Sequence, residues 1–135
     1  MISAEVTVTA QFYDIDPMNV VWHGNYPRFL EQARSALLDR IGFNYREMAA
    51  TRFVWPIVDM RIKYVRPIRL GQQVRVAATL IEYENRLKIG YRIVDDATGE
   101  VLTKAETIQV AVEAATNELC FDSPPELIEK VARLT

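Results

Sequence analysis

The chain is short of the residues that most often announce chemistry, with one histidine and one cysteine among 135 residues. The single cysteine, Cys120, cannot close an intramolecular disulfide, so nothing here calls for an oxidising compartment. No apolar run approaches the roughly 18 residues of a membrane span. The opening "MISAEVTVTAQF" alternates with polar residues where a signal peptide has a solid apolar core. The expectation is a cytoplasmic protein with no membrane contact. A formal net charge of −2 leaves no electrostatic footprint for nucleic acid. A G-x-S-x-G elbow, a G-x-G-x-x-G turn and a Walker motif are all missing, which argues against a serine-elbow hydrolase and against nucleotide cofactors.

Half of the residues are hydrophobic and a quarter are charged, an ordinary globular balance. With no repeat and no linker, the chain reads as one domain over residues 1–135. Ala4, Val6, Val8, Ala10 and Phe12 alternate with Glu5, Thr7, Thr9 and Gln11 as in a half-buried strand. The period then changes: Tyr26, Phe29, Leu30, Ala33, Leu37 and Ile41 recur at helical steps up to Gly42, a residue suited to ending a helix. Pro27 fits a first helical turn, which puts the start near Gly24 or Asn25.

The two-residue period returns from Val54 to about Val65, with Pro67 and Gly71 marking the exit. It continues at Val74, Val76, Ala78 and Leu80, then at Leu87, Ile89, Tyr91 and Ile93. "DDATGE" reads as a hairpin turn, followed by a strand from Val101 to about Ala114. The tail "SPPELIEKVARL" predicts a short helix capped by Ser123, with Pro124 in its first turn. The order is strand, helix, then four strands expected to pair as a meander. One helix cannot cover both faces of a five-stranded antiparallel sheet, so the sheet is expected to wrap round it on one side, leaving a face and edges for another copy.

Chemistry concentrates in "YDIDPMNVVWHGNYPRFLEQAR", residues 13–34. The first N–H groups of a helix lack intrahelical partners and carry partial positive charge, a ready seat for a developing oxyanion. Ahead of this helix lie two carboxylates, an amide and the imidazole of His23. Asp16 near the N–H of His23 would place a nucleophile or base beside a carbonyl-polarising donor. The same residue types also serve as caps and turn-formers, and that reading stays open. His23 and Glu31 have no further His or Cys beside them, so no metal site is expected. Cys120 falls after the last strand and is a poor partner for His23 in thiol catalysis.

The stretch from Asp16 to Arg34 resembles the signature of hotdog-fold acyl-CoA thioesterases of the 4-hydroxybenzoyl-CoA thioesterase type, including the YbgC-like branch. In these an aspartate is followed by a small-residue loop, two β-branched residues, an aromatic, a His or Tyr, and "xNY" leading into a helix ending "ExAR". "YVRPIRLGQQVRV" resembles the family's strand-turn-strand segment. The resemblance implies an α+β hotdog fold: a five-stranded antiparallel sheet wrapped round one long central helix, with a short C-terminal helix.

It also implies roles. Asp16 matches the catalytic carboxylate, as nucleophile or general base, and His23 the residue whose backbone N–H polarises the thioester carbonyl. Val21, Trp22, Asn25 and Tyr26 fall in the substrate-binding stretch, Asn25 and Tyr26 shaping the helix entry. Arg86 and Lys88 match the basic residues near coenzyme A phosphates, with a solvated strand face as the alternative; Arg66 and Arg69 are weaker matches. Trp22, Phe29 and Trp55 either line an acyl pocket or pack in the core. Two positions depart from the pattern: Asn19 stands where many relatives have glycine, and Phe12 where the branch often has tyrosine, with Tyr13 expected on the opposite strand face.

The implied activity is acyl-CoA hydrolysis by a homodimer or homotetramer, without metal or redox cofactor. Rival readings are an acyl-CoA or lipid-binding module without turnover and a thioesterase acting on acyl carrier protein, which a basic docking patch would favour. A dehydratase fits less well, because its Asp and His are differently spaced.

Overall fold

The computed structural model describes residues 1–135. Strand β1 (Ser3–Thr9) leads through two 3₁₀ turns, Phe12–Asp14 and His23–Asn25, into helix α1 (Tyr26–Ile41) and the short α2 (Tyr45–Ala49). There follow β2 (Phe53–Val54), β3 (Ile57–Tyr64), β4 (Gln73–Glu82), β5 (Leu87–Asp95), β6 (Val101–Gln109), β7 (Val112–Glu113) and α3 (Pro125–Ala132). Five strands form one antiparallel sheet in the order β1-β4-β5-β6-β3, and β2 pairs with β7 in a separate ladder. No helix is long and apolar enough to cross a membrane.

The apolar stripe of α1 lies where the sequence puts it, with Phe29, Leu30, Ala33 and Leu37 buried where the helix packs across β1 and β4, in one core with the alternating inner residues of β4 and β5. Val74, Val76, Ala78, Ile89 and Ile93 are fully enclosed, so period-2 strands and a period-3.6 helix meet face to face. Gly42 ends α1 at φ 82°, its N–H on the Asp39 carbonyl and that of Phe43 on Leu38. This is a left-handed stop of the Schellman type.

Five expectations are corrected. β3 does not pair with β4: it sits at the far edge against β6, so only β4, β5 and β6 form a meander. Residues 65–72 carry the chain across one end of the sheet, bonded to Leu102 at their start and to Ala10 at their finish, with Ile68 buried beneath. Eight residues reach up to about 26 Å, ample for three strand spacings of about 4.8 Å. The predicted strand from Val54 to Val65 is broken at Pro56, which has no N–H for a ladder. The strand from Val101 likewise breaks after Gln109, whose side chain donates to the Trp55 carbonyl; beyond these points the chain changes partner and β2 meets β7. β1 stops at Thr9, so Phe12 and Tyr13 belong to a 3₁₀ turn and are both exposed, not on opposite faces of a strand. Finally, α3 starts at Pro125, because two successive prolines delay it; Ser123 is buried and does not cap it.

Helix α2 was not anticipated, although Asn44 and Glu47 spell a reciprocal capping box. It is fastened to α1 by a polar cluster: buried Arg34 grips Glu31 (Nε–Oε2 3.0 Å, Nη2–Oε1 2.5 Å) and donates to the Tyr45 hydroxyl at 2.7 Å, which itself donates to Glu31. Burial alone would raise the Glu31 pKa, but the hydrogen bonds from Arg34 and Tyr45 outweigh it and hold the carboxyl below its ordinary 4.5. A carboxyl depressed on folding stabilises the fold above its unfolded value and loses that contribution as pH falls through the folded one. Glu31→Gln is therefore expected to lower stability at pH 7 by about 1 kcal/mol or less, since Glu31 is partly solvated. The gap from the parent should close as pH drops below 4.5, as read by urea unfolding across a pH series.

Candidate active site

Residues 14–25 form a closed loop anchored at both ends on Asp14. Its carboxylate is 2% exposed at residue level, accepts the Gln11 N–H at 2.9 Å and pairs with Arg28. Its carbonyl accepts the Trp22 N–H at 2.9 Å and the Asn25 side-chain amide at 3.0 Å. Between these anchors Ile15 and Val21 bridge antiparallel, and the chain reverses over Asp16 to Val20. Asn19 adopts φ 65°, the left-handed conformation that Asn tolerates better than most residues. The loop thus keeps the shape that glycine would give.

Within this frame Asp16 is partly exposed, and its Oδ1 accepts the Met18 N–H at 2.8 Å, which fixes one carboxylate oxygen and leaves the other open. His23 opens the turn that runs into α1. Its N–H is left free by the geometry of the turn, and none of the loop's hydrogen bonds takes it. Tyr64, from the end of β3, donates to the His23 carbonyl at 2.9 Å and packs edge-on against Tyr26, ring centroids 4.7 Å apart. A cleft of about 250 Å³ collects Asp16, His23, Tyr26, Tyr64 and Arg66 between apolar walls from Met18, Val20 and Val21.

The predicted residues separate. Asp16, His23, Val21 and Tyr26 share this cleft. Val21 is buried with its N–H on the Ile68 carbonyl at 2.7 Å, and Tyr26 is buried too; burial pushes its hydroxyl pKa up. Asn25 is spent on Asp14. Trp22 is half-exposed beside His23, ring centroids 5.2 Å apart, whereas Phe29 and Trp55 are core. Arg86 and Lys88 are elsewhere: Arg86 pairs with Glu82 and Lys88 with Glu106. The cleft abuts Tyr64, whose row runs through Thr103 to Ile93, so Lys88 sits five residues away, about 17 Å along β5. The sequence singles out Asp16 but gives no sign of the anchoring role of Asp14, and Tyr64 reads only as a strand residue. Two carboxylates in one loop look alike until burial separates them. No three His, Cys, Asp or Glu side chains converge to hold a metal ion.

A family model described as the thioesterase-like superfamily matches residues 10–132. A Synechocystis protein carrying an esterase name, sll0410, is 31% identical over 131 residues, covering 96% of this chain and 79% of that one. YneP of Bacillus subtilis, named as an acyl-CoA thioesterase, is 33% identical over 108 residues, 78% of this chain and 77% of its own. Among solved structures, a DHNA-CoA thioesterase of Staphylococcus aureus superposes with a TM-score of 0.85 at 25% identity, covering 99% of this chain and 91% of the other.

The left-handed turn at Asn19 gives a direct stability test. Asn19→Gly is expected to leave the urea midpoint nearly unchanged, whereas Asn19→Val should destabilise by about 1–2 kcal/mol, the penalty of a β-branched residue at positive φ.

Proposed function

The chain belongs to the thioesterase-like superfamily and is a thioester hydrolase of the hotdog fold, and from that premise we propose that it hydrolyses acyl-CoA to the free acid and coenzyme A with Asp16 as the catalytic carboxylate. The observation that carries the reading is the shared cleft of Asp16 and the helix-entry turn at His23. A thioester carbonyl seated there meets the free His23 N–H as negative charge builds on its oxygen. One preorganised donor of this kind is typically worth about 2.7–4 kcal/mol in the transition state. The open oxygen of Asp16 either attacks the carbonyl carbon or takes a proton from the water that does. In both routes the C–S bond breaks and a proton goes to the coenzyme A sulfur; when Asp16 acts as base the water oxygen ends on the acyl carbon, and when Asp16 attacks, water cleaves the acyl–aspartyl anhydride and can leave its oxygen on the Asp16 carboxylate. Tyr64 holds the donor by its bond to the His23 carbonyl. Arg66 lines the cleft, exposed and with its Nε 3.4 Å from Glu100, and so stands nearer than Arg86 or Lys88 to a phosphate of a substrate bound by the same chain. A cytoplasmic location fits such a substrate.

The same reading includes a dimer. β3 ends the sheet with one side of its backbone unpaired, and Ile57, Val58 and Met60 along it are 39%, 58% and 38% exposed. A long apolar edge strand of this kind is a template for a second copy. Pairing of two β3 edges makes one continuous sheet, and two such dimers would make a tetramer.

Thiol release from short, medium, long and aromatic acyl-CoAs tests the activity. Asp16→Asn is expected to lower kcat at least about a hundredfold with acyl-CoA binding retained, the signature of a group that acts in the transition state. Absence of hydrolysis with every thioester, while acyl-CoA still binds, would favour the binding module. Single turnover in ¹⁸O water labels the Asp16 carboxylate only if it is the nucleophile. For the dimer, Val58→Lys with Met60→Lys is expected to shift the sedimentation coefficient to that of a monomer.

A further inference from the structure

The sheet face that α1 leaves uncovered carries one row the fold does not balance. From β1 to β3 the register sets Glu5, Ala77, Arg92, Lys104 and Lys63 side by side. The last three are cations on adjacent strands, and Arg61 stands one position along the same face of β3. All four are exposed, and none makes an ion pair or a side-chain hydrogen bond. The nearest carboxylate in the register, Glu106 opposite Arg61, has its oxygen on Lys88 at 3.6 Å. A shallow groove of about 510 Å³ runs beside Arg61, Lys63 and Lys104.

Arg61 and Lys63 lie on the edge strand β3, whereas Arg92 and Lys104 lie on the interior strands β5 and β6, so the row crosses the sheet and is not confined to its edge. Like charges directly opposite on neighbouring strands are destabilising, so the row weakens the isolated chain and waits for an anionic surface. In a chain whose net charge is −2, this clustering also leaves the rest of the surface acidic.

Resting on the thioester-hydrolase reading above, we propose that this row docks a small acidic carrier protein that presents its acyl group as a thioester on a flexible phosphopantetheine arm. The row spans three strands, about 10 Å, on the flat, solvated face of the sheet. Such a surface matches an acidic helix better than the compact phosphates of a single coenzyme. The route is short: Lys63 on the outer face is followed by Tyr64, which enters the Asp16 cleft, and by Arg66, which lines it too. An arm rounding the sheet end at residues 65–67 brings the thioester to Asp16. Hydrolysis then breaks the C–S bond, water supplies the new oxygen on the acyl carbon, and the proton goes to the carrier's thiol. In the β3-paired dimer the two rows lie on one continuous face.

The experiment compares one acyl chain presented as its CoA thioester and as its carrier-protein thioester, in the parent and in the double variant Arg92→Glu, Lys104→Glu. With carrier thioester, kcat/KM is expected to fall at least about tenfold and to lose its dependence on ionic strength. With CoA thioester it should stay within about twofold. Both positions are exposed, and a carboxylate beside Lys63 relieves repulsion, so the variant's Tm is expected to match or exceed the parent's; Lys104→Gln gives a graded, smaller loss. An unchanged carrier rate overturns the proposal, and so does an equal loss with both substrates, which would assign the row to the phosphates of coenzyme A. A parent that hydrolyses neither thioester overturns the hydrolase reading alone. In that event calorimetric binding of the holo carrier protein at low salt, abolished in the double variant, upholds the docking surface, and no binding to the parent overturns it.

Discussion

The loop that carries Asp16 and His23 hangs on the buried carboxylate of Asp14. A nearly enclosed charge is expensive to keep, and here it is kept by Arg28 from the first turn of α1 and by the Gln11 N–H. Its own carbonyl ties down Trp22 and Asn25. These bonds converge from the strand side, the loop end and the helix, so the loop closes in one register. Asp16 and His23, seven residues apart, then line the same cleft. The partly exposed carboxylate of Asp16 owes its position to the buried one of Asp14.

The sheet shows a division of labour between its faces. The inner face is apolar where α1 covers it and becomes polar toward β6, where Thr103, Thr107 and Gln109 are buried and the Tyr91 hydroxyl meets Thr107 at 2.7 Å. Burial pushes that phenol up to about 12, so at neutral pH it is a neutral hydrogen-bonding group. The outer face is charged. At the end of the sheet the surface therefore changes from this charged outer face to the apolar walls that Met18, Val20 and Val21 give the cleft.

How much of this was legible depended on what each sequence signal encodes. The stripe of α1, its stop at Gly42 and the inner residues of β4 and β5 could be read directly, because periodicity reports which face is buried. Periodicity does not report which strand is the neighbour, so β3 was placed beside β4 when residues 65–72 carry it to the opposite edge. Pro56 was a visible break that the apolar run on both sides concealed. The capping box of α2 was equally visible but short. In the site, the motif led to Asp16 and His23, and the helix geometry gave the reason. Asp14, Tyr64 and the separation of Lys88 from the cleft are long-range facts that no local pattern holds.

One small contact has a historical consequence. The Trp22 ring fills the space where a Cβ on residue 24 would stand, 2.3 Å from its ring carbons. A side chain at position 24 can be accommodated only after the indole swings away from His23, so the two positions are not free to drift independently. A lineage that loses Trp22 first can explore position 24 without penalty, whereas one that mutates Gly24 first disturbs the helix entry at once. The order in which substitutions arrive, and not only their identity, decides which descendants of this sequence keep a working loop.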